Sequence, residues 1–234
     1  MLNKFKEALF IFKSNAVLFN AIILTFYLPI QILTHGLSYL PTEGVFGIAS
    51  FLAFIAYIFS LPWMWVIWLI LSLIGECAII YASFQFKQGQ TAKYLEAMSA
   101  GSRKWINLFF AGLIATILIF LGLICFVIPG IIFLVIYALI PHIIVLESSS
   151  IIDCFGRSAK LTVGKRWQIF WVVIIFAIVF FMFGTLSAML GLSELSDNIF
   201  VSVPYSYIVE LLRSFFSIFM FLFYWEARQK ELHI

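Results

Sequence analysis

Residues 105–146 read WINLFFAGLIATILIFLGLICFVIPGIIFLVIYALIPHIIVL, a run with no Asp, Glu, Lys or Arg. A helix needs about 20 apolar residues to cross the hydrocarbon core of a bilayer, so this run is long enough for two crossings. Pro129-Gly130 lies near its middle, and proline with glycine punctuates helices. The run reads as a tight hairpin of two spans. Gly44–Gly75 and Trp167–Ser193 are equally free of those four residue types. Hydrophobic residues make up 64% of the chain and charged ones 11%, where soluble domains hold about half and about a quarter. One soluble core of 234 residues cannot hide that much apolar surface. The expected fold is an all-α, polytopic transmembrane helical bundle, a single membrane domain over residues 1–234.

Six spans are expected, near residues 15–34, 65–86, 105–127, 131–147, 167–191 and 204–225. The early lysines and the long run from Ala16 read as a retained first span rather than a cleaved signal, because no small-residue cleavage site follows. Pro204 suits the first turn of the last span. The basic residues test this map. Lys4, Lys6 and Lys13 precede span one, and Lys87, Lys93, Arg103 and Lys104 lie between spans two and three. Arg157, Lys160, Lys165 and Arg166 lie between spans four and five, and Arg228 and Lys230 follow span six. Thirteen of the fourteen Lys and Arg residues thus fall on one side, which the positive-inside bias makes cytoplasmic, with both termini there. Val45–Ser60 is also mostly apolar, but a seventh crossing would invert every later loop and destroy that asymmetry. It is expected to be an outer interfacial or re-entrant helix, with Trp63, Trp65 and Trp68 as an aromatic belt.

The loops on the basic side resemble one another. Lys6-Glu7-Ala8-Leu9-Phe10, Tyr94-Leu95-Glu96-Ala97-Met98 and Ile151-Ile152-Asp153-Cys154-Phe155 each place an acidic residue before a small one and an apolar one, then a basic cluster, then a span. Ile151, Phe155 and Ala159 recur every four residues, the stripe of a short amphipathic helix lying along a membrane surface. The pattern predicts three units, each a surface helix feeding a span, with the N-terminal copy the weakest. Lys93, Arg103, Lys104, Arg157, Lys160, Lys165 and Arg166 then stand where anionic phospholipid of the cytoplasmic leaflet attracts them, at roughly 1 kcal/mol each.

Val127-Ile128-Pro129-Gly130-Ile131-Ile132, then Ala138-Leu139-Ile140-Pro141, Val145-Leu146-Glu147 and Gly156-Arg157-Ser158-Ala159-Lys160-Leu161-Thr162 resemble the YciC-type bacterial inner-membrane proteins. They are also similar to the membrane domain of some glycerophosphoryl diester phosphodiesterases. The match is strongest over roughly residues 120–175. It implies a six-helix protein of the bacterial inner membrane and little about activity. No phosphodiesterase catalytic domain is expected within these 234 residues.

Charges inside a bilayer are costly and are functional candidates by default. Three fall within spans: Glu76 in span two, and Glu210 and Arg213 in span six. At 1.5 Å per residue, Glu76 lies roughly 16 Å from Lys87 and Arg213 roughly 18 Å from Trp225, both near mid-membrane. One cation for two carboxylates leaves one carboxyl to be protonated or otherwise balanced. The cluster reads either as a site for a proton, an ion or a lipid head group, or as an ion pair tying span two to span six.

Other residues point to packing. His142 and Glu147 are five apart, which is not a metal-binding helical spacing. His35 and His233 lie in a loop and a tail. Asn20 and Gln31 read as hydrogen bonds to neighbouring helices or as the lining of a polar path, and Gly112, Gly122, Gly184 and Gly191 as close helix contacts. Cys77, Cys125 and Cys154 suggest no disulfide framework. No nucleophile–base pair, phosphate loop, zinc-ligand set or haem motif is present, so no enzyme, metal or cofactor is expected, and no nucleic acid. The expected partners are membrane lipids, with a second copy or another membrane protein as further candidates. Two functions fit: handling or transport of lipid or a small solute, or an accessory role that binds lipid or a partner without transport.

Overall fold

The computed structural model describes residues 1–36, 62–147, 149–190 and 199–232, and residues 45–60 fall outside that set. All regular structure among the described residues is helical. In chain order the helices are α1 (Leu2–Ser14), α2 (Ala16–Gly36), α3 (Pro62–Lys87), α4 (Tyr94–Cys125) and α5 (Val127–Tyr137). They continue with α6 (Ile140–Leu146), α7 (Asp153–Leu161), α8 (Arg166–Met189) and α9 (Ile199–Leu232). Five stretches are long and apolar enough to cross a membrane: Val66–Lys87, Tyr94–Cys125, Val127–Leu146, Arg166–Met189 and Val203–Leu232. The bent pair Leu2–Ser14 and Ala16–Thr25 makes a sixth only if its two helices are counted together as one span. The chain is a multi-pass membrane protein with an all-α fold.

The α1–α2 corner turns through 72°. Asn15 makes it, with both its backbone N–H and its side-chain amide donating to the Ile11 carbonyl at 3.1 Å. These bonds satisfy an end of α1 that the bend leaves without intrahelical partners. Phe12 and Phe19 stack across the corner at 5.8 Å.

The central hairpin turns at Phe126, not at Pro129-Gly130. Phe126 alone is extended (φ −160°, ψ 141°). Pro129 sits in the first turn of α5, where a missing N–H costs nothing. Gly130 instead provides the close approach: a Cβ there would lie 2.7 Å from the Leu123 backbone nitrogen, and one at Gly122 would lie 2.9 Å from the Gly130 Cα. Span four is itself broken at Ala138–Leu139, with Pro141 in the first turn of α6. Of the other glycines read as helix contacts, Gly112 and Gly184 would offer a Cβ open space, and Gly191 is outside the described residues.

The three-unit pattern is half right. The small residue after each acid, Ala8, Ala97 and Cys154, is 0% exposed in all three copies. Copy one packs on α9 through Phe5 and Phe12 against Phe215. Copy two packs on α3, where a Cβ at Gly101 would lie 2.5 Å from the Ile74 carbonyl oxygen. Copy three packs on α5, with Ser158 Oγ donating to the Ile136 carbonyl at 2.6 Å and Phe155 edge-on to Tyr137. Only copies one and three are separate helices. Copy two runs straight into its span as α4, since it lacks a breaker like Asn15 or like Gly164, whose φ of +77° suits glycine. The face that α7 buries is Cys154, Ser158 and Leu161, rotated from the expected Ile151, Phe155 and Ala159.

Gly130→Ala is predicted to destabilise the protein by about 1–3 kcal/mol through overpacking of the hairpin, whereas Gly184→Ala should be neutral or slightly stabilising. Thermal unfolding of the two variants in the same detergent checks both.

Candidate functional site

Glu76, Glu210 and Arg213 come together between α3 and α9. Arg213 Nε lies 3.4 Å from Glu210 Oε2, one turn earlier on α9, and Arg213 Nη2 lies 3.8 Å from Glu76 Oε2. Arg213 Nη2 also donates to the Ser72 carbonyl at 3.1 Å. Ser217 Oγ donates to Glu76 Oε1 at 2.7 Å. The Ser217 carbonyl accepts from His142 Nε2 at 3.1 Å, which fixes the proton on that nitrogen because a carbonyl can only accept. His142 is buried and packs near Phe221 and Tyr224. A polar chain thus runs from α9 through α3 to α6. Ser72, Ser217 and His142 had no sequence signal that set them apart from packing residues.

Beside the guanidinium is a cavity of about 30 Å³, lined by Ile22, Trp68, Gly75 and Ser214 as well as Glu210 and Arg213. A water needs roughly 10–15 Å³, so the space has room for about two or three waters and is too small for a solute or head group. Two carboxylates facing one guanidinium carry an excess negative charge unless a proton sits on one of them. The α3 turn carrying Glu76 also packs against Gly101, two residues before the basic pair Arg103-Lys104. Counting residues along α3 alone put Glu76 near mid-membrane and could not see that the site borders the charged stretch of α4.

A second network joins the basic ends of the helices. Glu226 of α9 pairs with Lys4 of α1, with Lys165 before α8 at 3.2 Å and with Lys230 at 3.8 Å. Glu7 of α1 pairs with Lys87 at the end of α3. Arg157 of α7 reaches Glu147 at 3.0 Å and Glu231 at 2.6 Å, and Tyr224 Oη donates to the same Glu147 at 3.0 Å. Lys4 also stands 3.8 Å over the Phe223 ring, a favourable cation–π geometry.

This network corrects part of the lipid-facing set. Arg157 and Lys165 point at protein carboxylates. Hydrogen bonds to Glu147 and Glu231 raise the Arg157 pKa above its ordinary value. Burial lowers that of Lys165, whose side chain is 8% exposed, and Glu226 pulls it back up. Lys93, Arg103, Lys160 and Arg166 are exposed and Lys104 is half-buried. Among the described residues, none of these five has a carboxylate within 4 Å.

Asn20 bonds across helices as expected, accepting from Tyr207 Oη at 2.8 Å. The side chains of Gln31, His35, Trp63 and Trp65, and all of His233, lie outside the described residues. No three His, Cys, Asp or Glu side chains among the described residues group as metal ligands. The chain matches no family model, no curated protein and no solved structure.

Glu226→Gln should cost about 2 kcal/mol, less than the roughly 3–5 kcal/mol of a fully buried broken pair because Glu226 is 41% exposed. Lys165→Met should cost less, since Glu226 keeps two other lysines. The double variant should recover part of the Glu226→Gln loss, because the Lys165 ammonium, 8% exposed, is removed with its partner and only the less buried Lys4 and Lys230 are left without a carboxylate. Unfolding midpoints of the three variants measure this coupling. In the buried Cys154, burial first and Asp153 second push the thiol up to about 11, so maleimide labelling of the folded protein should stay slow at pH 8 and rise only as pH approaches that value.

Proposed function

We propose that this protein handles phospholipid from the cytoplasmic leaflet of a bacterial inner membrane, with both termini cytoplasmic and no enzymatic step. The reading takes up the resemblance to YciC-type proteins. One observation carries it: an apolar groove of about 540 Å³ roofed by α1 and walled by α8 and α9. Leu2, Phe5 and Leu9 of α1 face Ile175, Val179 and Phe215 across it, and every other lining residue is apolar too. That volume lies in the range of small-ligand sites, roughly 300–1,000 Å³. A groove without polar groups suits an acyl chain and no polar solute. Lys6 and Lys13, exposed on α1, supply attraction for anionic head groups.

The mid-helix charge cluster supports lipid over a small solute, because its cavity is too small for a permeating molecule. The pairing of all three charges also favours the second reading, an accessory protein that binds lipid and moves nothing. The two readings share the groove and differ only in transport.

Ile175→Trp, which fills the groove from a half-exposed position, should lower several-fold the phospholipid that co-purifies in mild detergent, measured by mass spectrometry of the intact protein. Unchanged retention would remove the basis of the proposal. Leaflet exchange of a fluorescent phospholipid in reconstituted vesicles separates handling from passive binding: acceleration over empty vesicles supports handling, and none supports the accessory reading.

A further inference from the structure

We infer that the start of α8 is a separate binding site for an anionic phospholipid, with the phosphate on Arg166 and one acyl chain in a groove between α5 and α8. This goes beyond the groove under α1 and uses none of its residues. Ile128, Ile131, Ile132 and Val135 of α5 line one wall, and Trp167 and Phe170 of α8 line the other. The space is about 400 Å³, and its one charged lining residue is Arg166. The groove is therefore apolar along its length and cationic at one place, the layout of a chain with a charged head.

Three features make that place fit a phosphate. Arg166 is exposed and has no carboxylate within 4 Å among the described residues, unlike Arg157 and Lys165 nearby. Its polar contact is a marginal one, Nη2 to the Ala159 carbonyl at 3.5 Å, so the planar guanidinium fork is available for two-pronged binding of phosphate oxygens. α8 begins at Arg166 with no side-chain cap, so the first N–H groups of a 24-residue helix lack intrahelical partners and carry the positive end of its dipole.

Two features fix the occupant as an anionic lipid. Trp167 is 74% exposed, and indoles prefer the head-group level of a bilayer. Lys160, the residue after the carbonyl that Arg166 touches, also has no carboxylate within 4 Å among the described residues. Arg166 is the one charge lining the groove, which has no carboxylate among its lining residues, so it favours a head group of net negative charge and offers nothing to the ammonium of phosphatidylethanolamine.

The test is titration of the full-length protein in mild detergent with phosphatidylglycerol or phosphatidylethanolamine, read by mass spectrometry of the intact complexes. The wild type should prefer phosphatidylglycerol. Arg166→Gln should cut that preference about tenfold, as loss of charge-assisted hydrogen bonds implies, with Arg166→Lys intermediate and all unfolding midpoints unchanged. Ile131→Trp should remove the tightest-bound lipid of either class, while Ile175→Trp should leave the preference intact. Preference retained in Arg166→Gln, or equal binding of both lipids by the wild type, overturns this site. If Ile175→Trp still lowers total retention in that case, the groove under α1 stands without it. If Arg166→Gln alters folding, the Arg166→Lys variant decides: full wild-type preference there means that charge without the fork suffices, and the two-pronged arrangement is wrong.

Discussion

One carboxylate, Glu226, receives lysines from three separate segments: Lys4 of the first helix, Lys165 before α8 and Lys230 one turn along its own helix. Apolar helices in lipid attract one another only weakly through hydrophobicity, because lipid tails are as apolar as their side chains. Directional contacts at the helix ends therefore do much to set the arrangement. Glu226 pins α1 to α9, and Glu7 with Lys87 pins the same α1 to the end of α3. Arg157 joins the end of α6 to the last turns of α9 through Glu147 and Glu231. These contacts hold α1 across α9, and α1 in that position forms the roof of the larger apolar groove.

The same network bears on the charge map. Sequence assigned residues 4, 87, 157, 165 and 230 to one membrane face from hydropathy and charge alone. Their contacts bring the start of the chain, the end of α3, the α7–α8 turn and the end of α9 together at one end of the bundle. Hydropathy windows and side-chain contacts are different kinds of information, and they agree on which ends belong together.

What could be read in advance follows the range of each interaction. The all-α membrane class was legible because about 20 apolar residues in a row is a local property, and the described residues hold five such stretches, or six with the bent α1–α2 pair. Glu76, Glu210 and Arg213 were legible because a charge in an apolar run stands out. The turn at Phe126 was not, because Pro129 signals a break yet is tolerated in a helix's first turn. Nor was the division of the basic residues. Arg157 and Lys165 face carboxylates that lie 74 and 61 residues away in Glu231 and Glu226, while Arg166, next to Lys165 in sequence, faces outward. Only the packing of α7 and α8 against α9 decides which cation points where. The fusion of the second repeat into α4 was hidden for a related reason: a missing breaker is a weak signal beside a repeated motif.

The arrangement rests on the basic ends sharing one side of a membrane. In a variant without Cys77, Cys125 and Cys154, single cysteines at positions 6, 93, 160 and 230 can be probed with a membrane-impermeant maleimide in right-side-out and inverted vesicles. All four should label from the cytoplasmic side and none from the other. Labelling of any one of the four from the opposite side would contradict the expected six-span arrangement and the lipid sites proposed on it.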